Sequence, residues 1–113
     1  MTQMSAAEVA AIRHLTGHTL DSLATHMGVN PQTPRRWESG RDRISETAAT
    51  ALLEVLAEHT ALVEQMLNAN TPIRLPRKPA GDRPRGWYVA AAARVMEVEP
   101  DTEIEWTYEN DTN

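Results

Sequence analysis

The spacing of apolar residues along the chain predicts a mainly helical fold. Over most of the sequence, apolar side chains recur every three or four residues, which is the period of a helix with one buried face. In the first such segment, Val9, Ile12 and Leu15 form the inward face. Ser5 and Glu8 can form a capping box at its start. The predicted helices span residues 5–15, about 20–27, about 31–38, about 46–69 and 87–97.

The fourth predicted helix is long for a small domain. Its apolar positions continue from Glu46 to Asn68 with no helix breaker between them. At 1.5 Å per residue, about 24 residues give a helix of roughly 36 Å. A four-helix domain cannot bury a helix of that length completely, so we expect its second half to pack on a partner subunit.

The C-terminal part of the chain has a different pattern. Residues 71–86 contain four prolines and two glycines, which predict an extended or irregular connection. Residues 102–108 alternate between apolar and polar side chains, as a half-buried strand does. Its nearest partner is a short strand at 73–75, where Arg74 and Arg77 would face glutamates. The alternating apolar residues are Ile104, Trp106 and Tyr108.

The segment 19–40 has capping and turn residues where two short helices require them. Thr19 can cap the second helix with its hydroxyl, and Gly28 ends that helix at a position where positive φ favours glycine. Asn30 then caps the third helix, with Pro31 in the first turn, where its missing N–H costs nothing. Two helices joined in this way form a helix-turn-helix, whose second helix enters the major groove of DNA.

This segment resembles the Cro/CI-repressor (XRE) family, whose pattern runs T-Q-x-x-L-A-x-x-x-G-V-S-x-x-x-I-S-x-W-E-x-G. The resemblance implies a helix-turn-helix bundle in which Arg13 of the first helix pairs with Glu38 at the end of the third. Trp37 would pack in the core beside them, so these three residues give structural support. The residues that match the pattern are Thr19, Leu23, Ala24, Gly28, Val29, Trp37, Glu38 and Gly40.

Two of the departures from the family pattern matter for function. The glutamine at the start of the second helix, a phosphate contact in the family, is Leu20 here. The apolar isoleucine inside the third helix is Pro34, which removes an early helical hydrogen bond. We therefore expect either a tightened first turn or a regular helix that begins only at Thr33.

The resemblance also implies which residues contact double-stranded DNA. Gln32 and Arg36 lie four residues apart and project from one side of the third helix, where arginine can bind guanine and glutamine can bind adenine. The implied base contacts are Gln32, Thr33, Arg35 and Arg36. The implied phosphate contacts are Thr19, Arg41 and Arg43. Alternatively, this face of the third helix makes protein contacts, and Arg41 and Arg43 are ordinary surface arginines.

Weaker motifs extend the resemblance to the YdiL-like and anti-CRISPR-associated autorepressors. These also combine an XRE motif with a long helix and a Gly-Trp pair before an alanine-containing helix, here at Gly86-Trp87. The implied fold is mainly α, with a Cro/CI-like bundle, a long central helix, and a small C-terminal segment with a helix and one or two short strands. Residues 1–45, completed by the start of the next helix, would form the DNA-binding unit. Residues 46–70 and 87–113 would serve dimerisation, and residues 71–86 would be a Pro/Arg-rich connection.

The net charge of −5 is unevenly distributed along the chain. Residues 1–45 carry five arginines and four acids, whereas residues 87–113 carry one arginine and seven acids. Because DNA affinity depends on local charge, the acidic total does not argue against DNA binding. The basic segment 71–86 either contacts nucleic acid, at the flanks of the DNA site or on RNA, or is a linker that balances the acidic segment within a dimer. We favour the linker.

Other features narrow the class of protein. The chain has no cysteine and no run long enough for a transmembrane helix or a signal segment, so we expect a cytoplasmic protein without membrane contact. His14 and His18 have metal-ligand spacing, but Gly17 should end the helix between them. No nucleophile–base pair stands out. We expect no metal, no cofactor and no enzymatic activity.

These patterns together favour a transcriptional repressor that acts as a homodimer on an inverted-repeat operator. The absence of phenylalanine and the many alanines make a thin core, which a second subunit can complete. The resemblance adds autoregulation and a phage or mobile-element origin. One alternative is an antitoxin-like protein, whose acidic residues 97–111 neutralise a partner while the N-terminus autoregulates. Another is an adaptor that does not bind DNA.

Overall fold

The computed structural model describes residues 4–69 and 71–107. Within them it has five helices and two short strands, which confirms the mainly α fold class. None of these helices is long and apolar enough to cross a membrane. The elements are α1 (Ala6–Thr16), α2 (Leu20–Met27), α3 (Gln32–Glu38), α4 (Glu46–Ala69), β1 (Ile73–Leu75), α5 (Arg85–Val98) and β2 (Ile104–Trp106).

The first core lies between α1, α2, α3 and the first half of α4. Its buried residues are Met4, Val9, Ile12, Leu23, Trp37, Ile44, Ala49 and Leu52. Leu15 was expected on the inward face of α1, but 45% of its surface is exposed. Thr16 is buried instead, because it lies on the same stripe as Val9 and Ile12. Its hydroxyl donates to the Ile12 carbonyl at 2.8 Å, which satisfies the buried polar group.

The predicted caps of the first two helices are present. Ser5 and Glu8 form a reciprocal capping box at the start of α1. Thr19 accepts the backbone N–H of Ser22 at 2.9 Å, and the Ser22 hydroxyl accepts the N–H of Thr19. Gly28 ends α2 in the left-handed conformation, with φ of 69°. These caps fix where α2 begins and ends, and thus the tight turn that leads into α3.

The long helix is confirmed, but our reason for expecting a partner on its second half is wrong. Helix α4 runs unbroken for 24 residues. Its second half is covered by α5 and the strands of the same chain, because the C-terminal segment folds back on it. This second core contains Val63, Ile73, Leu75, Ala91, Ala92 and Val95, with Leu62, Met66, Leu67, Tyr88 and Ile104 packed against it.

The two predicted strands pair with each other in a parallel sheet. Ile73 lies opposite Ile104, and Arg74 lies opposite Glu105 with Nε and Oε1 3.4 Å apart. The alternation expected for β2 is not realised, since Ile104 and Glu105 are both half-buried and Trp106 is 37% exposed. Tyr108 lies outside the described residues. Arg77, expected near a glutamate, instead lies over the Trp106 ring, 5.3 Å from its centroid.

The end of α1 and the start of α5 meet through two glycines. Gly17 has φ of 77°, and a Cβ at this position would overlap the carbonyl group of Gly86. The backbones can therefore approach only because neither residue has a side chain. This contact ties the C-terminal segment to the N-terminal bundle.

We expect Gly17→Ala to destabilise the protein much more than Gly28→Ala. Both glycines have positive φ, but nothing lies within 4 Å of a Cβ built at Gly28. Gly28→Ala should cost only the conformational term, about 1 kcal/mol of unfolding free energy. Gly17→Ala adds the overlap with Gly86, and we expect a loss of about 3 kcal/mol or more. Urea unfolding measures both, and equal losses would show that the two backbones do not meet.

Candidate nucleic-acid interface

Helix α3 begins with a tightened turn, one of the two outcomes expected from Pro34. The Asn30 side chain accepts the N–H of Gln32 at 2.8 Å. The Asn30 carbonyl accepts the N–H of Thr33 at 2.9 Å, since Pro34 has no N–H to offer it. The helix does not start late. Pro34 itself is fully buried, so it fills the core position that isoleucine occupies in the XRE pattern.

The two sides of α3 have opposite character. Pro34 and Trp37 point into the first core, and only 6% of Trp37 is exposed. Gln32, Arg35 and Arg36 are exposed and form what we call the outward face of α3. Gln32 and Arg36 are one turn apart at its centre, with Arg35 to one side. Thr33, also expected to contact bases, is half-buried between the two sides.

An ion pair fixes the end of α3 against α1. The Arg13 guanidinium donates to both carboxylate oxygens of Glu38, at 2.5 Å from Nε and 3.0 Å from Nη2. Its Nη1 also donates to the His18 carbonyl at 3.2 Å, in the turn before α2. The side chains of Arg13 and Glu38 are only 14% and 16% exposed. These bonds join α1, α3 and the turn before α2, and the bidentate geometry of the ion pair restricts rotation of α3.

The loop after α3 carries the two arginines expected to contact phosphates. The backbone N–H groups of Arg41 and Asp42 both donate to the Arg36 carbonyl, at 3.0 and 3.2 Å. Arg41 therefore lies next to the end of the outward face. Arg41 and Arg43 are both exposed, and neither has an ion pair with another described residue. The described contacts do not link Arg43 to α3.

Asp42 is a participant that sequence reasoning missed. Its Oδ2 lies 3.8 Å from Nη1 of Arg36, and both side chains are about half exposed. An exposed pair of this kind contributes little stability. It does, however, place a carboxylate beside the central arginine of the outward face. Its position six residues after Arg36 has no helical spacing that would have linked the two.

Thr19, the remaining expected phosphate contact, lies at the exposed start of α2. Its oxygen is used as a cap, but a hydroxyl that accepts one bond can still donate its hydrogen to an anion. The structure does not bring Thr19 into contact with the other predicted DNA-binding residues through any described hydrogen bond. Its placement relative to DNA stays a prediction.

Comparison with known families agrees with this geometry. A family described as a helix-turn-helix domain matches residues 6–66, from the start of α1 to the last part of α4. The chain belongs to this helix-turn-helix family. The match covers the first core, the Arg13–Glu38 pair and the outward face of α3, which makes DNA binding the function to expect. A search of curated proteins found no match.

Behind the helix-turn-helix domain lies a buried cluster that sequence reasoning also missed. It consists of His18, His59, Arg83 and Trp87, and we call it the junction. Arg83 lies over the Trp87 ring, 4.0 Å from its centroid, and donates to Glu58 at 2.6 Å. The His18 ring packs against the Trp87 ring with centroids 5.2 Å apart, and the His59 ring meets Trp87 edge-on at 4.6 Å. The junction joins the start of α2 to α4 and α5 beside the Gly17–Gly86 contact.

Both buried histidines of the junction are held neutral. Burial lowers the pKa of His18 to about 4, and the nearby Arg83 guanidinium adds to the effect. Burial also lowers the pKa of His59, although its hydrogen bond to the Trp87 carbonyl opposes the shift. Its Nε2 donates to that carbonyl at 2.9 Å, so Nδ1 accepts from Arg94 at 2.9 Å. Protonation of Nδ1 would place a positively charged imidazolium directly against the Arg94 guanidinium.

His18 should make the protein lose stability as the pH falls from about 6.5 to about 4. In the unfolded chain this histidine takes up a proton near its ordinary pKa of 6.5, whereas in the folded chain it resists until about 4. The stabilisation that neutral His18 gives the folded state is complete above pH 6.5. About 2 kcal/mol of unfolding free energy is lost between pH 7 and pH 5. Urea unfolding at both pH values measures it. His18→Gln should reduce this dependence and leave the part that His59 contributes, and the exposed-site control His14→Gln should retain all of it. Equal slopes in all three proteins would contradict the assignment.

No metal site accompanies these histidines. Across residues 4–69 and 71–107, no group of three or more His, Cys, Asp or Glu side chains could hold a metal ion. His14 and His18 lie on either side of Gly17, which ends α1 in the left-handed conformation. Their sequence spacing therefore does not correspond to one helix face.

Proposed function

We propose that this helix-turn-helix protein is a sequence-specific transcriptional repressor of the XRE class. The observation that carries the proposal is the outward face of α3. Its polar side chains are exposed on the side opposite Pro34 and Trp37, and the Arg13–Glu38 pair holds the helix against the bundle. A helix presented in this way fits the major groove, which is wide enough to admit it.

Base recognition is assigned to the centre of the outward face. Arg36 can donate two hydrogen bonds to guanine, and Gln32, one turn earlier, can bind adenine. Arg35 lies to one side and would contact bases or backbone at the edge of the site. Thr33 is half-buried, so it would reach DNA only with its hydroxyl end. Releasing Arg36 from Asp42 costs little, because the pair is exposed.

Backbone contacts are assigned to the residues that border α3. Arg41 lies beside the Arg36 carbonyl, and Arg43 follows two residues later. Thr19 would add a hydroxyl at the start of α2. Contacts of this kind position a protein on DNA without reading its sequence, and they make binding depend on salt.

We propose that the protein acts as a homodimer. Two copies of α3 would enter successive major grooves of an inverted repeat, with half-sites about 10 bp apart or a small multiple of that. Residues 1–45 with the first half of α4 would bind DNA, and residues further along would form the dimer. Repression would follow from occupying a promoter, which the XRE resemblance suggests is the protein's own. The weaker YdiL-like resemblance would add a phage or mobile-element origin.

The fold of the C-terminal segment supports this proposal over the antitoxin-like alternative. An antitoxin tail stays available for its partner, whereas β2 is paired with β1 and Glu105 is bonded to Arg74. The basic segment 71–86 is also engaged within the chain, since Arg83 is held by Glu58 and Trp87. Nothing in these contacts favours an RNA-binding role for that segment.

Footprinting on the DNA upstream of its own gene tests the proposed function. We expect a symmetric protected site for the wild type at two salt concentrations. Arg36→Ala should weaken binding to it by about 1–3 kcal/mol, because a base contact is lost. Arg74→Ala is the matched control, since that exposed arginine is paired with Glu105 in the sheet. Weak binding that salt abolishes, equal in all three proteins, would contradict specific recognition.

Asp42→Asn should tighten DNA binding. The substitution removes a negative charge beside Arg36 and releases that arginine for DNA. We expect an affinity about three- to tenfold higher at low salt, with a smaller gain at high salt. Fluorescence anisotropy with a labelled duplex measures it. Asp101→Asn, a change of the same type in the exposed turn after α5, should have no effect. Weaker binding by Asp42→Asn would show that Asp42 instead positions Arg36.

A further inference from the structure

Helix α5 has an exposed apolar face opposite the one it buries. Ala91, Ala92 and Val95 are buried against α4 and the sheet, and Trp87 is buried in the junction. On the other side Val89 and Met96 are 37% and 48% exposed, and Ala93 is exposed between them. We call these three residues the α5 face. Arg85 borders it at the start of the helix and Glu97 borders it at the end, and both are exposed.

The charges that border the α5 face are opposite to those a helix prefers. The partial positive charge at a helix N-terminus favours acids there, and the C-terminus favours bases. In α5 an arginine occupies the first turn and a glutamate the last, and the first turn has no acid and the last no base. A local preference that is broken at both ends calls for a compensating interaction. The one described contact of the Arg85 side chain is with the Trp106 ring, whose centroid lies 5.5 Å from the guanidinium carbon.

We infer that the α5 face pairs with the same face of a second copy of the chain, with the two helices antiparallel. This inference rests on the proposed homodimer and specifies its interface. In an antiparallel pair centred at residue 91, Arg85 lies opposite the partner's Glu97, and Val89 opposite the partner's Ala93. Two-fold symmetry repeats each contact, so one surface complements itself. The positive N-terminal end of each helix then lies beside the negative C-terminal end of the other.

The rival surface for a homodimer is the exposed side of α4. Leu53 is 49% exposed there, and Ala57 and Ala61 continue the stripe. The charges around that stripe are all negative, because α4 contains four glutamates and no lysine or arginine. Two copies of α4 would bring like charges together, which disfavours pairing. The α5 face carries one charge of each sign, so charge complementarity favours it as the interface.

The location of α5 makes such a pair useful for DNA binding. The Gly17–Gly86 contact and the junction fix α5 to the helix-turn-helix bundle. A pair formed through α5 therefore sets the distance and angle between the two α3 helices. A pair of 14-residue helices is a small interface, so we expect a dimer in the micromolar range that DNA binding reinforces.

A charge swap tests the pairing. Sedimentation of the full-length wild type should show a concentration-dependent dimer. Arg85→Glu or Glu97→Arg alone sets like charges opposite each other twice, and should raise the dissociation constant by about 10- to 100-fold. The double variant restores opposite charges and should return to within about threefold of the wild type. Both changes suit the helix dipole, so folding should survive, which circular dichroism checks. Leu53→Glu on α4 is the control and should leave the dimer unchanged.

Cross-linking tests the orientation, and the chain has no native cysteine to interfere. In the antiparallel pair, the two copies of residue 96 are separated by about 15 Å along the helix axis alone, because each lies five residues from the centre. Met96→Cys alone should therefore not form a disulfide, which needs Cα atoms within about 7 Å. A mixture of Met96→Cys and Arg85→Cys should form a mixed disulfide. A rapid disulfide in Met96→Cys alone would indicate parallel helices and overturn the proposal.

The outcomes separate this inference from the proposed function. A monomeric wild type, no rescue in the double variant, or a dimer lost in Leu53→Glu would each overturn the α5 interface. A symmetric footprint that persists in such a case would leave the repressor proposal standing on another interface. If instead the α5 pair passes both tests but Arg36→Ala binds DNA as the wild type does, the interface stands and the proposed function fails.

Discussion

The partly buried ion pair between Arg13 and Glu38 is the contact on which the outward face of α3 depends. Helix α3 has only seven residues, too few to be stable alone, so its orientation must come from tertiary contacts. Pro34 and Trp37 give it a buried side, but packing alone leaves some freedom to rotate. The two-pronged bond from Arg13 to Glu38, with a third bond to the His18 carbonyl, removes that freedom. The direction of Gln32 and Arg36 follows from it.

A second constraint connects this surface to the rest of the chain. Gly17 ends α1 and also allows Gly86 to approach, so one residue serves the bundle and its attachment to α5. The buried rings of His18 and Trp87 then fill the space beside that contact, with Arg83 stacked on top. The C-terminal segment is therefore packed on the same long helix as the bundle, and any assembly made through it carries α3 along.

Much of the fold could be predicted because it depends on local signals. The caps at Thr19 and Asn30, the unbroken pattern of α4 and the existence of each short strand follow from nearby residues, whereas the pairing of Ile73 with Ile104 joins distant parts of the chain. The burial of Thr16 in place of Leu15, and the folding of α5 onto α4, depend on long-range packing that no periodicity reports. The same is true of the candidate site. Its exposed residues follow from the helix-turn-helix pattern, whereas the approach of Asp42 to Arg36 depends on how the loop closes.

The central claim is that the outward face of α3 docks in the major groove. An amide-resolved NMR titration of the isotope-labelled protein with a duplex from its own upstream region tests it most directly. We expect the largest shifts at residues 32–36 and 41–43, with little change in β1, β2 or the end of α4. Shifts concentrated in the sheet or in the basic segment 71–86, with residues 32–36 unaffected, would contradict it.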